Sequence, residues 1–225
     1  ALGTHVEVVD CDLLDVDARE RLCAALEERT DIDVLVANAG MVVPGAVVET
    51  TRERLDAELD LNLRSSLHLI HAVVPGCVAR GHGHVLATVS MGGIIPLPES
   101  AAYSASKAGL RAFLAALNCE VAGTGARVSG IYPAAVDTPM LRWDAAHGGS
   151  ALNFVGAVLP VDRIVDAYAT ALDTGRLEVY APWSDSVLTR LGSAFPGTLP
   201  RVLPLVSRVG ERGRARFLKR TRSRP

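Results

Sequence analysis

Lysine is almost absent from this chain. Only Lys107 and Lys219 occur, against 21 arginines. In so arginine-rich a sequence, a lysine marks a position that wants a compact point charge rather than a planar fork. Cysteine is sparse as well. Cys11, Cys23, Cys77 and Cys119 are widely scattered; with no Cys-x-x-Cys pair and no ligand cluster among them, they read as small buried hydrophobes and no metal site is expected. No run of eighteen apolar residues occurs, which excludes a membrane-spanning helix, and no signal peptide is visible at the start. The net charge of −2 gives no global pull toward nucleic acid. His68 and His71 lie three apart in a helical pattern, but no third ligand is placed and surface or interface histidines are expected.

What is present is a globular balance, with 49% hydrophobic and 21% charged residues over 225 positions. That is enough for one domain with a sizeable core. Apolar runs alternate with helical periodicity along the chain. Strands are expected at residues 6–10, 34–37, 85–89, 126–131 and 177–180, and helices at 17–29, 51–79, 101–122 and 161–172. Residues 92–99 read as a loop over a site, and 140–159, with Gly148-Gly149 and little periodicity, as a mobile substrate loop or lid. The alternation predicts an α/β fold with a doubly wound parallel sheet.

One constellation carries chemistry. Tyr103 and Lys107 are four residues apart in a breaker-poor, Ala- and Ser-rich segment, so they share a helix face. A neighbouring ammonium favours the phenolate, and a phenol tuned in this way can donate or accept a proton in one site. Ser90 closes the strand at 85–89, which puts its hydroxyl at a carboxyl end, where open α/β sheets hold ligands.

These residues resemble the short-chain dehydrogenase/reductase family. Further matches follow in order: Asp12-Leu13, Asn38-Ala39-Gly40, Asn62 within Leu61-Asn62-Leu63, and the stretch from Tyr132-Pro133-Ala134 to Val136-Asp137-Thr138. The resemblance runs from about Val6 to Pro182. It implies a Rossmann-like fold and hydride transfer between NAD or NADP and a carbonyl or alcohol carbon. Tyr103 would be general acid and base, Lys107 would lower its pKa and hold the nicotinamide ribose, and Ser90 would bond the substrate oxygen. Asn62 would hold a water behind the lysine. Asp12 and Leu13 would lie against the adenine, Asn38, Ala39 and Gly40 along the adenosine, and Pro133, Ala134, Val136 and Thr138 against the nicotinamide carboxamide. Ala134 departs from the family's usual glycine. A homodimer or homotetramer built on the helices at 51–79 and 101–122 is also implied, with a small or medium apolar alcohol or ketone as the small-molecule substrate; the expected location is cytoplasmic, or peripheral to the membrane.

The family's Gly-x-x-x-Gly-x-Gly turn is not in the chain, and the strand at 6–10 looks like the family's third. The N-terminal βαβ portion therefore reads as missing. A longer polypeptide, a truncated or misassigned start, and a protein that lost the cofactor and became a non-catalytic binding or scaffold protein are the alternatives. At the other end, residues 183–225 form a distinct basic region after a domain at 1–182. Ten Lys/Arg face only Asp185 and Glu211 there, a net of +8 that leaves −10 for the rest. Apolar residues are interleaved with the charges. An amphipathic tail folded back on the domain and ending in a disordered basic run, or contact with an anionic membrane surface, are the readings. No nucleic-acid motif accompanies the charge.

Overall fold

The four apolar runs that survive as strands form one parallel sheet in the order β1 (Val34–Ala37), β2 (Gly83–Thr88), β3 (Ala126–Pro133) and β4 (Glu178–Ala181). This computed structural model describes residues 5–222. Val36 pairs with Leu86, Leu86 with Ser129 and Ile131 with Val179. Because side chains alternate across a strand, Val85, Ala87, Val128 and Tyr132 point to one face, while Leu86, Ile131 and Val179 point to the other. Both faces are apolar, as a parallel sheet covered on two sides requires. The first is covered by Ile70 of α3 (Ser65–Arg80) and by Leu110 and Leu114 of α4 (Ala101–Glu120), following α1 (Val16–Glu27) and α2 (Arg52–Leu59) in the chain. The second is covered by Ala167 and Ala171 of α6 (Asp162–Thr174). Leu110 and Leu114 are fully buried, each contributing roughly 1.5–3 kcal/mol of apolar transfer.

Local chemistry sets the ends of the helices. Asp15 caps α1 by accepting from the Ala18 N–H, and Thr51 caps α2 by accepting from Arg54. Between β3 and β4, Thr138 accepts from the Leu141 N–H and Pro139 opens α5 (Pro139–Ala146).

The structure departs from the sequence reading in four places. Residues 6–10 form no strand; Val6, Val8 and Val9 are exposed, and among the described residues β1 pairs only with β2. A β-prone run without a partner has no ladder to join. Residues 51–79 are not one helix. A π-helical turn, Asp60–Arg64, separates α2 from α3, whereas the helix passes uninterrupted through Pro75. Residues 140–159 are largely ordered into α5 and a short 3-10 turn, Ala151–Phe154. The region after Pro182 folds back on the domain, as one of its readings has it, but as two helices, α7 (Trp183–Ala194) and α8 (Leu199–Arg222), and the basic run is helical through Arg222 instead of disordered; residues 223–225 lie outside the described residues.

Both C-terminal helices are anchored. Glu178 on β4 accepts from Arg111 of α4 at 2.9 Å and from Arg190 of α7 at 3.2 Å, and the Arg190 guanidinium lies 4.3 Å over the Tyr180 ring. On α8, Phe217 packs on Phe154 with ring centroids 5.4 Å apart. Gly210 brings the helix so close to the 3-10 turn that a Cβ there would stand 2.1 Å from the Ala151 carbonyl oxygen. Only glycine permits that approach.

Candidate active site

The carboxyl ends of β1, β2 and β3 open onto a cavity of about 720 Å³. Segments from five directions line it: Asn38 and Gly40 after β1, Thr88 to Gly92 after β2, Tyr103 and Lys107 from α4, Pro133 to Leu141 after β3, and Leu188, Thr189 and Val206 from α7 and α8. Most of the wall is apolar, with Val42, Val89, Ile95, Leu97, Leu152 and Ile164 prominent.

Ser90 sits at the sharpest bend. Its φ of 141° lies in a region that non-glycine residues rarely occupy, and such strain persists only where the surroundings hold it. Here its Oγ accepts from the Gly92 N–H at 3.0 Å, and its carbonyl accepts from Gly93 at 3.1 Å. The turn then lies against α4. A Cβ on Gly93 would meet the Lys107 carbonyl group at 2.8 Å, so this glycine lets the serine-bearing turn and the tyrosine-bearing helix touch. A Cβ on Gly92 would stand 3.2 Å from the Tyr103 ring and 3.4 Å from Ser90 Oγ, so the two side chains are neighbours across this glycine.

Lys107 follows one turn after Tyr103 on the same face, as the spacing predicts. It is only 4% exposed, and its Nζ donates to the Thr88 carbonyl oxygen at 2.8 Å. Among the described residues it makes no ion pair with a carboxylate. Burial therefore pushes its pKa down to about 8. The expected lowering of the tyrosine's pKa is not what this arrangement gives. The ammonium lies 5.9 Å from the ring centroid and is turned to Thr88. Burial pushes the Tyr103 phenol up, the nearby Ser90 hydroxyl opposes the rise, and the carboxyls of Glu58 and Asp144 add to it.

Asn62 lies at the centre of the π-helical turn and is fully buried. Its side chain is already occupied by protein. Oδ1 accepts from the Met41 N–H at 2.7 Å, and Nδ2 donates to the Met41 carbonyl at 2.8 Å and to Ser106 Oγ at 3.3 Å. Instead of reaching for a water, the amide pins the Gly40–Met41 backbone beside the lysine. Asn38 accepts from the Thr88 hydroxyl at 2.6 Å, and Thr88 also bonds Tyr168.

Asn38, Gly40, Ser90, Tyr103, Lys107, Pro133, Ala134, Val136 and Thr138 are thus gathered around one cavity, with Asn62 behind it. Asp12, Leu13 and Ala39 do not line it. Asp12 instead accepts from the Leu14 N–H, and the Leu13 carbonyl accepts from Arg19. The residues present fit the nicotinamide-ribose half of a dinucleotide. A buried ammonium spends one donor on Thr88, faces no carboxylate, and borders a cleft where hydroxyls can take its other donors.

Two buried carboxyls went unseen in the sequence. Asp144, on α5, lines the cavity and is 1% exposed; Asn153 donates to one of its oxygens at 3.2 Å, and the other has no hydrogen-bond partner among the described residues. Glu58, on α2, accepts from the Val43 N–H at 3.1 Å, and burial pushes its pKa up to about 7. A signal for Glu58 was available, since Leu55, Glu58, Leu59 and Asn62 fall at the spacing of one inward stripe. No such pattern marks Asp144.

Glu58 makes a testable contribution. Its folded pKa stands above the ordinary 4.5, so the folded state holds the proton more tightly and stability falls as pH rises from about 4.5 through 7. Glu58→Gln keeps the oxygen that Val43 needs and removes the charge. The variant is expected to be more stable than the parent by about 2–3 kcal/mol at pH 8, with the difference vanishing near pH 4.5. Urea unfolding at the two pH values measures this. An equal difference at both would place the carboxylate in water.

The family model described as short chain dehydrogenase matches residues 1–147. An uncharacterised oxidoreductase of Myxococcus xanthus is 33% identical over 203 residues, 88% of this chain and 76% of the relative. Over uncharacterised oxidoreductases of Staphylococcus saprophyticus and Staphylococcus epidermidis the match spans 58% and 61% of the relative's own length. Among solved structures, a short-chain dehydrogenase from Sphingobium yanoikuyae in complex with NADPH is 28% identical with a TM-score of 0.75, over 88% of this chain and 76% of that one. A bulky-bulky ketone specific alcohol dehydrogenase from Comamonas testosteroni is 26% identical with a TM-score of 0.70, over 86% and 73%.

Proposed function

This chain belongs to the short-chain dehydrogenase family, and from that premise we propose that it is an NAD(P)-dependent oxidoreductase acting on a bulky apolar ketone or the corresponding secondary alcohol. The observation that carries the reading is that Ser90 and Tyr103 line one cavity, with Lys107 buried one helical turn from the tyrosine. When bound, the nicotinamide supplies or takes up the hydride. Lys107 would hold its ribose hydroxyls, and the backbone from Pro133 to Thr138 would meet the carboxamide.

The chain's own residues account for the proton. In reduction, the Tyr103 phenol gives its proton to the carbonyl oxygen as that oxygen gains negative charge; in oxidation, Tyr103 takes the proton back. A phenol whose pKa is raised by burial is neutral at physiological pH, which suits the acid role. Ser90 Oγ donates a second hydrogen bond to the same oxygen, in a cavity whose wall is mostly apolar. Asn62 acts through Met41, fixing the backbone on which the lysine's surroundings depend, and is a positioning residue.

The apolar wall favours a substrate that is bulky on both sides of its carbonyl, in keeping with the ketone named for the Comamonas testosteroni structure. We also assign a homo-oligomer, as the family commonly forms. Loss of NADPH or NADH absorbance with a panel of aryl and alicyclic ketones tests the activity. Turnover that rises with ketone bulk is the expected outcome; no turnover with either cofactor, together with no cofactor binding by fluorescence, would leave a non-catalytic binding protein.

A further inference from the structure

Eight large apolar side chains between Trp183 and Val209 are each more than two-fifths exposed: Trp183, Val187, Leu188, Leu191, Phe195, Val202, Leu205 and Val209. They are ordered. On α7 Leu188 and Leu191 share one outward side, with Phe195 exposed just past the helix end, and on α8 the spacing of Val202, Leu205 and Val209 makes an outward stripe. The α8 stripe then continues in register into Arg212 and Arg216, with Arg201 and Arg208 beside it, all four exposed. Among the described residues, none of these arginines makes an ion pair with a carboxylate. The inner faces of the same helices are satisfied, through Arg190 on Glu178, Gly210 against Ala151 and Phe217 on Phe154. The outward stripes are therefore not core that failed to fold inward.

We infer that the outward face of α7 and α8 is a docking surface for an anionic lipid bilayer. The combination of an apolar stripe with a basic stripe is what lets a helix lie in the headgroup layer: apolar side chains enter the acyl boundary, and arginines meet the phosphates. No described helix is long and apolar enough to cross a membrane, so the contact is in the plane. Charge argues against a second copy of this chain as the occupant. A two-fold interface sets a patch against itself, and here that would bring uncompensated arginines onto arginines. The rest of the chain carries −10 against the region's +8, which orients this face toward a negative surface and the remainder away from it.

The surface is continuous with the cavity. Leu188, exposed on the stripe, also lines the cavity wall together with Thr189 and Val206. An apolar substrate dissolved in the bilayer would reach the site along these helices without crossing water. This last step rests on the oxidoreductase reading; the binding of lipid does not.

The test is co-sedimentation of the full chain with vesicles of phosphatidylcholine alone or of equal parts phosphatidylcholine and phosphatidylglycerol. Capture by the anionic vesicles is expected, weakening as salt is raised. Two double variants, Leu191→Ser with Phe195→Ser and Arg208→Glu with Arg212→Glu, are each expected to lower vesicle partitioning by roughly tenfold or more. None of these four side chains lines the cavity, so turnover of a water-soluble ketone stays unchanged in both variants, and circular dichroism reports their fold. Protein left in the supernatant with anionic vesicles, or folded variants that partition like the parent, would overturn the proposal. So would a smaller oligomer in the Leu191–Phe195 variant without lipid capture by the parent, which would give the face to a second copy. Failure of the oxidoreductase reading looks different: vesicle capture intact with no turnover in any of the proteins.

Discussion

Tyr103→Phe is expected to lower kcat for ketone reduction about a thousandfold, within the range of a lost general acid, and to leave the fold untouched. The substitution removes one oxygen, in the neighbourhood of Ser90. Ser90 Oγ keeps its bond from the Gly92 N–H, so no buried group is left unsatisfied and stability should stay within about 0.5 kcal/mol of the parent. KM should move little, since the proton transfer belongs to the transition state and not to substrate binding. Steady-state kinetics with thermal unfolding on the same preparation decides it. A variant that keeps most of its kcat would mean that some other group delivers the proton, Asp144 being a buried acid that lines the cavity.

Lys107→Met separates activity from stability in the opposite way. Removing the ammonium is expected to reduce kcat/KM about a hundredfold or more, because the ribose hydroxyls lose their charged donor and the substrate oxygen loses a nearby cation. The same change should stabilise the protein. Burial holds the folded pKa at about 8, below the unfolded value of about 10.5, so the cost of burying the charge is fully present below pH 8. It is relieved as pH rises from about 8 toward 10.5, where the unfolded state holds the proton more tightly. Less one lost hydrogen bond at Thr88, the gain at pH 7 is about 2 kcal/mol, shrinking above pH 8. The parent's own activity should decline above pH 8 as the ammonium is lost. A destabilised Met variant would show that the lysine's hydrogen bond outweighs its desolvation.

Much of this was legible in the sequence, and for identifiable reasons. The run at 34–37 is wholly apolar and 85–89 is broken only by Thr88, while 126–131 and 177–180 keep Val128, Ile131, Leu177 and Val179 among polar residues; mainly apolar runs have few places to go except the interior of a parallel sheet. The helix from Ala101 carries Tyr103 and Lys107 one turn apart, and α-helical geometry alone puts them side by side. What was hidden depends on neighbours. Residues 6–10 have strand composition, but a strand is a pairing and among the described residues they have no pairing partner. The π-helical turn at Asn62 has no compositional mark; the bonds from Asn62 to Met41 accompany it, and they join residues 21 positions apart. Asp144 reads as an ordinary surface acid until elements from elsewhere in the chain close over it, whereas Glu58 falls on the inward stripe of Leu55, Leu59 and Asn62. Asp12, Leu13 and Ala39 were placed by resemblance alone, and they stand apart from the cavity that the other candidates share.

The connections after β2 and β3 step the same way across the sheet, yet α4 covers one face and α6 the other. Two crossovers that move in one direction but pass over opposite faces must have opposite hands, although one hand is strongly preferred. The chain therefore parts at the carboxyl ends of these neighbouring strands, sending Ser90 and its turn to one side and the stretch from Pro133 to the other. A topological switch point of this kind leaves a crevice before any side chain is chosen. The candidate site of this protein occupies a gap that its chain path makes unavoidable, and substitutions at Ser90, Tyr103 or Lys107 would change what happens in that crevice without closing it.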